Sequence, residues 1–225
     1  MPFELFDPQA EIRITSGHLP HWYQPGVTYF ITFRTADSVP VALAETWVRR
    51  REEWLRNHGI DPNAPQWAVQ LRGLPDVERQ FHNTFSREFM EYFDKGYGAC
   101  VLKRPELARI VGDSLLHFDG QQYLLSDFVV MPNHVHVLVC LLGETDLEKQ
   151  CYSWKKYTAN LLNRALGRRG RFWQEESFDH LVRSPEQFDY LHRYIADNPE
   201  KAGLRPGEYL LWQRAGLHDS SPGTK

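Results

Sequence analysis

The sequence predicts an α+β protein, a ferredoxin-like split β-α-β antiparallel sheet with added helices. Three observations carry that reading. β-Branched and aromatic runs bounded by turn residues recur at residues 27–35, 123–131, 134–142 and 177–183. Helical patterns divide them into the order strand, helix, strand, strand, helix, strand, with one more helix at the end. A length of 225 residues suits one domain, or one domain with a large insertion. The expected organisation is a single domain over residues 1–211, a helical insertion at 41–95 after the first strand, and a disordered tail at 212–225.

Residues 1–26, with the tract His18-Leu-Pro-His-Trp-Tyr-Gln-Pro-Gly26, read as irregular. The run Val27-Thr-Tyr-Phe-Ile-Thr-Phe-Arg-Thr35 is the first strand. Pro40 opens a helical pattern through Leu43, Trp47 and Trp54 that runs to Gly59. A second amphipathic stretch from Asp76 places Phe81, Phe85, Phe89 and Phe93 four residues apart, a packing pattern. Cys100-Val-Leu102 reads as short and extended, and Pro105 starts a helix toward Phe118. Two strands follow, separated by a tight Pro-Asn connection. Thr145 or Asp146 can cap the next helix, which ends at Gly167 and Gly170. Ser184, Pro185 and Gln187 form a helix start close to a capping box. That last helix should stop near Asn198, because Pro199 disfavours helical geometry in the residue before it.

Composition narrows the function classes. No apolar run is long enough to span a membrane. The segment Met-Pro-Phe-Glu-Leu-Phe-Asp-Pro lacks the basic and apolar regions of a signal peptide. Three scattered cysteines, Cys100, Cys140 and Cys151, give no disulfide framework, so the expected compartment is the reducing cytoplasm. The formal net charge of −3 excludes a polycation but not a local basic surface. Lys155, Lys156, Arg164, Arg168, Arg169 and Arg171 occur with no acid among them. They form either a solvated helix face or a surface for backbone phosphates.

Two stretches carry candidate chemistry. In Met131-Pro-Asn-His-Val-His-Val-Leu-Val139, alternation puts Val135, Val137 and Val139 on one strand face and His134 and His136 on the other. Paired imidazoles on a rigid strand can chelate a metal, or can simply be two half-exposed histidines. In Tyr194-Ile-Ala-Asp-Asn198-Pro199, Tyr194 and Asn198 share a helix face one turn apart. Tyr194 can pack and Asn198 can cap the helix. A phenol and an amide oxygen so placed also suit a tyrosine nucleophile beside a metal-bound phosphate.

Pro132-Asn-His-Val-His136 resembles the HUH motif of the single-tyrosine transposases, and Tyr194-Ile-Ala-Asp-Asn-Pro-Glu-Lys-Ala-Gly-Leu204 resembles their C-terminal nucleophile helix. Pro20-His-Trp22, Tyr29-Phe-Ile-Thr-Phe33, Phe128-Val-Val-Met-Pro-Asn-His134 and Phe172-Trp-Gln-Glu-Glu-Ser-Phe-Asp179 echo the branch of REP-associated tyrosine transposases. The resemblance covers residues 18–206 apart from 41–95. It implies that His134, His136 and Asn198 hold a divalent metal, Mg2+ or Mn2+, and that Tyr194 is the nucleophile. Tyr157 is the competing tyrosine, but Leu161 stands four residues after it where a polar ligand is needed.

The implied activity is metal-dependent cleavage and strand transfer on single-stranded DNA with hairpin structure, through a 5′-phosphotyrosine. Lys155, Lys156, Arg168, Arg169 and Arg171 are the expected phosphate contacts. Trp173 is a candidate for stacking on an unpaired base, or packs. The branch is expected to act as a monomer. Two rivals stand beside this reading, a hairpin-binding protein without turnover and a His-x-His metalloenzyme unrelated to DNA.

Overall fold

The computed structural model describes residues 3–16, 20–86 and 96–216. Its frame is a five-stranded sheet of β3 (Thr28–Arg34), β4 (Tyr123–Val130), β5 (His134–Leu141), β6 (Phe178–Leu181) and β7 (Leu210–Gln213). The strand order is β6-β3-β5-β4-β7 and every neighbouring pair is antiparallel. With α4 (Pro105–Leu116) after β3 and α5 (Leu147–Ala165) after β5, this is the expected split β-α-β arrangement, extended by β7 along one edge.

Alternation on the two central strands divides the core into two layers. Tyr29, Ile31, Phe33, Val135, Val137, Val139 and Leu141 face α4 and α5, where Leu107, Val111, Leu115, Trp154 and Leu162 meet them. Phe30, Leu138 and Cys140 face α6 (Pro185–Lys201), which turns Phe188, Leu191 and Ile195 toward them at helical spacing. Each of those three α6 side chains contributes about 2 kcal/mol by leaving water. Because helices cover both faces, β3 and β5 are buried along their whole length.

The helical insertion builds its own small core. On α1 (Val41–Asn57), α2 (Trp67–Arg72) and α3 (Pro75–Phe81), Trp47, Leu55, Trp67, Leu71 and Phe81 gather with Phe85. Phe178 of β6 packs against both this core and the α6 layer, so the insertion leans on the sheet's β6 edge. The Phe81/Phe85 pair fits the expected four-residue packing register. Phe89 and Phe93, like His18 of the N-terminal tract, lie outside the described residues.

Several local expectations are corrected. The stretch before Val27 is not irregular: β1 (Arg13–Ser16) and β2 (Pro20–Tyr23) pair as an antiparallel hairpin, and β2 lies beside β6, tied to it by a bond between His21 and Asp179. Val101–Lys103 is a 3-10 turn rather than extended, because Cys100 takes a positive φ of 49° and curls the chain. The last helix passes through Pro199 to Lys201. Proline removes one donor there, but Asn198 O is still taken by Ala202 N (3.0 Å) and the end is closed by Leu204 N on Pro199 O (2.9 Å). Ordered structure also reaches past residue 211, since β7 includes Trp212, stacked on Phe128, and Arg214 is paired with Asp119. Residues 217–225 of the expected tail lie outside the described residues.

Candidate functional site

The site lies between the centre of the sheet and α6. Strand alternation sends His134 and His136 to the α6 face, and their rings approach to 4.7 Å between centroids at 71°. Register places Thr32 opposite His136 and Arg34 opposite His134. Tyr194, half-buried on α6, meets His136 edge-on with centroids 5.3 Å apart. Phe30 also stacks on His136, at 5.3 Å, and meets Tyr194 edge-on at 5.8 Å, so the three rings pack on one another. Asn198 follows one turn along α6 and is buried. The four residues predicted from sequence thus fall on two facing elements of one chain.

Each imidazole is held by its Nδ1. His134 Nδ1 lies 2.7 Å from Asn133 Oδ1, and Asn133 Nδ2 donates to Tyr97 O at 2.8 Å. That second bond fixes the amide, so Oδ1 accepts and His134 Nδ1 carries the proton. His134 Nε2 then holds the lone pair that a metal ligand needs. Thr32 Oγ1 holds His136 Nδ1 at 2.7 Å. Imidazole nitrogens and an amide oxygen are ligand types that a divalent ion accepts. Among the described residues there is no cluster of three or more His, Cys, Asp or Glu placed for a metal. The fit therefore depends on an amide as third donor.

A further chain of contacts steadies this arrangement. Gly98 has φ +90°, and a Cβ there would lie 2.7 Å from the Asp37 carbonyl oxygen, so only glycine lets this loop present the Tyr97 carbonyl to Asn133. On the α6 side, Asp127 is fully buried and accepts from His192 Nδ1 (2.9 Å), Gln213 Nε2 (3.1 Å) and Ser126 Oγ (2.5 Å). A β-bulge between Leu125 and Asp127 turns that carboxylate to the α6 face. It joins the helix carrying Tyr194 to β4 and β7.

Thr32, Arg34, Asn133, Asp127 and His192 were missed by the sequence reading. For Thr32 and Arg34 a signal existed, because the period-two alternation that buries Tyr29, Ile31 and Phe33 puts both on the histidine face. Arg34 is only 2% exposed and cross-strand from His134. Both histidines are closed to bulk water, at 1% and 0% exposure, so any ligand reaches them only when covering side chains move.

The basic cluster divides. Lys156 and Arg169 are exposed, and Arg171 is paired with Glu175 at 3.4 Å on the surface. Arg168 bonds Asn163 Oδ1 and lies over the Phe172 ring. The loop bearing Arg168–Arg171 adjoins the His134 end of the sheet, since Ala36 N bonds Phe172 O and Thr35 pairs with Trp173. Two expectations fail. Lys155 donates to the Glu175 and Gln174 carbonyls, and its ammonium is committed to that loop. Trp173 is buried, edge-on to Phe33, with its indole N–H on Thr158 Oγ1 (2.9 Å), so it packs and cannot stack on a base. Tyr157 is exposed on α5, on the far side of the sheet from the imidazoles.

Fold and site define an α+β protein of the split β-α-β type with a His-His-Tyr cluster between its sheet and its last helix, and Asn198 buried one turn along that helix. No family model matches the chain, and no curated protein matches it. Among solved structures, a REP-associated tyrosine transposase bound to a REP hairpin aligns over 91% of this chain and 95% of that one, at 16% identity and a TM-score of 0.40. A likeness of that degree assigns no role to any residue. No helix among the described residues is long and apolar enough to cross a membrane.

Proposed function

We propose that this protein is a metal-dependent single-stranded DNA endonuclease and strand transferase that acts on hairpin-bearing DNA through a 5′-phosphotyrosine at Tyr194. One observation carries the reading: the Tyr194 ring lies against His136, itself paired with His134, within a single chain. A divalent ion, Mg2+ or Mn2+, held by His134, His136 and Asn198 would polarise the scissile phosphate as a Lewis acid. The Tyr194 hydroxyl gives up its proton to solvent as its oxygen attacks phosphorus, and the bond to the 3′ oxygen breaks. That oxygen leaves with the electron pair and takes a proton. The 5′ phosphate stays esterified to Tyr194. One ester replaces another, so a second 3′-hydroxyl can reverse the step without an energy source.

Asn133 and Thr32 orient the imidazoles, and Asp127 with His192 fixes the helix that brings the phenol. Lys156, Arg168, Arg169 and Arg171 contact phosphates near the His134 end of the sheet. A site assembled within one chain suits a monomer, and the three free cysteines suit the cytoplasm.

The test is incubation with an end-labelled single-stranded hairpin and Mn2+ or Mg2+, followed by denaturing electrophoresis. The expected product is protein attached to the DNA 5′ end, lost when the metal is chelated. The burial of both imidazoles favours a second reading, hairpin binding without turnover. Binding with no adduct at any metal concentration would establish it.

A further inference from the structure

Away from this site, one ring gathers two positive charges. The Arg72 guanidinium, at the end of α2, stands 4.1 Å from the Trp22 ring centroid, and that of Arg183, between β6 and α6, stands 5.0 Å from it. Arg183 also lies 5.7 Å from the Phe6 ring. Among the described residues, the acid facing both is Glu78, 3.9 Å from Arg72 and shared with His82 at 3.8 Å. Glu186, in the first turn of α6, bonds back to Ser184. Two guanidiniums against one shared carboxylate leave the patch positive, and holding like charges together costs free energy that an anion would offset. Both side chains reach solvent, Arg72 at 37% exposure. Arg183 directly precedes Ser184, the N-cap of the 17-residue α6, so the positive end of that helix adds to the same field.

Pro185 and Tyr194 are separated along α6 by about 14 Å at 1.5 Å per residue. That is about four stacked nucleotides at 3.4 Å each. We infer that Arg72 and Arg183, framing Trp22, bind backbone phosphates of the DNA strand roughly four nucleotides from the phosphate that Tyr194 attacks. The helical insertion supplies one half of this clamp and the start of the nucleophile helix the other. The identity of the ligand as DNA rests on the nuclease reading; the anion site itself rests on the two guanidiniums. Planar guanidiniums over an indole are held in place, so little side-chain freedom is lost when phosphate binds.

The test compares hairpin DNA binding by the wild-type chain, Arg72→Gln, Arg183→Gln, the double variant and the double Arg→Lys variant, over a range of salt. Each single Gln change should weaken binding several-fold, and the pair tenfold or more. The slope of log affinity against log salt should flatten by about 0.7 to 0.9 per arginine removed. The double Lys variant should recover most of the salt slope, which a merely packing role would not restore. Thermal unfolding of every variant shows whether the fold survives, and the Lys variant carries the comparison if the Gln pair unfolds. Wild-type cleavage and binding with an unchanged affinity and slope in the double Gln variant would overturn the clamp alone. Failure of the wild-type chain to bind hairpin DNA at any salt would overturn the nuclease reading and the clamp with it.

Discussion

The Tyr194 phenol ring stands edge-on to the His136 imidazole, centroids 5.3 Å apart and planes at 69°. The two residues are far apart in sequence and come from elements on facing layers. Their meeting brings both halves of the candidate site together within one chain, and what holds each side in place can be perturbed separately.

Tyr194→Phe should abolish the covalent DNA adduct while hairpin affinity changes less than twofold, because only the hydroxyl is removed. Tyr157→Phe, on the far side of the sheet, should cleave at the wild-type rate. An adduct that survives Tyr194→Phe and disappears in Tyr157→Phe would reverse the assignment.

Asn133→Ala removes the acceptor that fixes the His134 tautomer, and Thr32→Val does the same for the His136 bond. Loss of such outer partners costs metal affinity about 10- to 100-fold. Cleavage by either variant should therefore fall at low Mn2+ and return as Mn2+ is raised, a titration readily followed by adduct yield. Gly98→Val should behave like Asn133→Ala at one remove, since displacing that loop withdraws the Tyr97 carbonyl. Metal dependence identical to wild type in all three would show that these bonds do not prepare the ligands.

Asp127→Ala leaves His192, Gln213 and Ser126 facing a buried gap. The expected loss is about 3 kcal/mol, or a fall in Tm of roughly 10 °C, read by calorimetry. The pairing joins the nucleophile helix to β4 and β7, so adduct formation should drop further than folding alone explains when assayed well below the transition.

His180 lies on β6 with Gln187 Nε2 at 2.5 Å. Burial first, then the charges of Arg183 and His82, push it down to about 4. The folded protein thus keeps it neutral while the unfolded chain, with a histidine value of ~6.5, takes up the proton earlier as pH falls. Its contribution is present above pH ~6.5 and is lost on acidification toward pH 4. The size is about 2 kcal/mol, less than the full shift implies because the ring keeps some contact with water. Urea unfolding from pH 7 to 4 should show a shallower decline in His180→Gln than in wild type. Parallel curves would place the acid sensitivity elsewhere.

Much of the fold was legible because it is local. Alternation in His134-Val-His-Val-Leu-Val139 assigns the two faces of a strand before any partner is known. Ser184, Pro185 and Gln187 start a helix wherever they occur, and the Ser184 cap and Gln187 are in place as read. The hairpin before Val27 was not legible, because its short strands carry little alternation and are held by the neighbouring β6. The run through Pro199 was missed for a related reason: α6 is pinned by Phe188, Leu191 and Ile195, and packing overrides the local preference against helix before proline. Trp173 beside Arg171 gave no sign in sequence of which way its indole points.

By itself, then, the sequence determined the order of the four strands β3 to β6 and of the helices that cover them, the face that His134 and His136 share, and the spacing of Tyr194 and Asn198. Those are properties of backbone periodicity, set within a few residues. Only the tertiary structure decided that α6 lies over the histidine face, that Asn133 and Thr32 grip the rings, and that Lys155 and Trp173 turn inward. Each of these depends on which surfaces can be buried together across the whole chain. Periodicity along one element does not encode which partner will cover it.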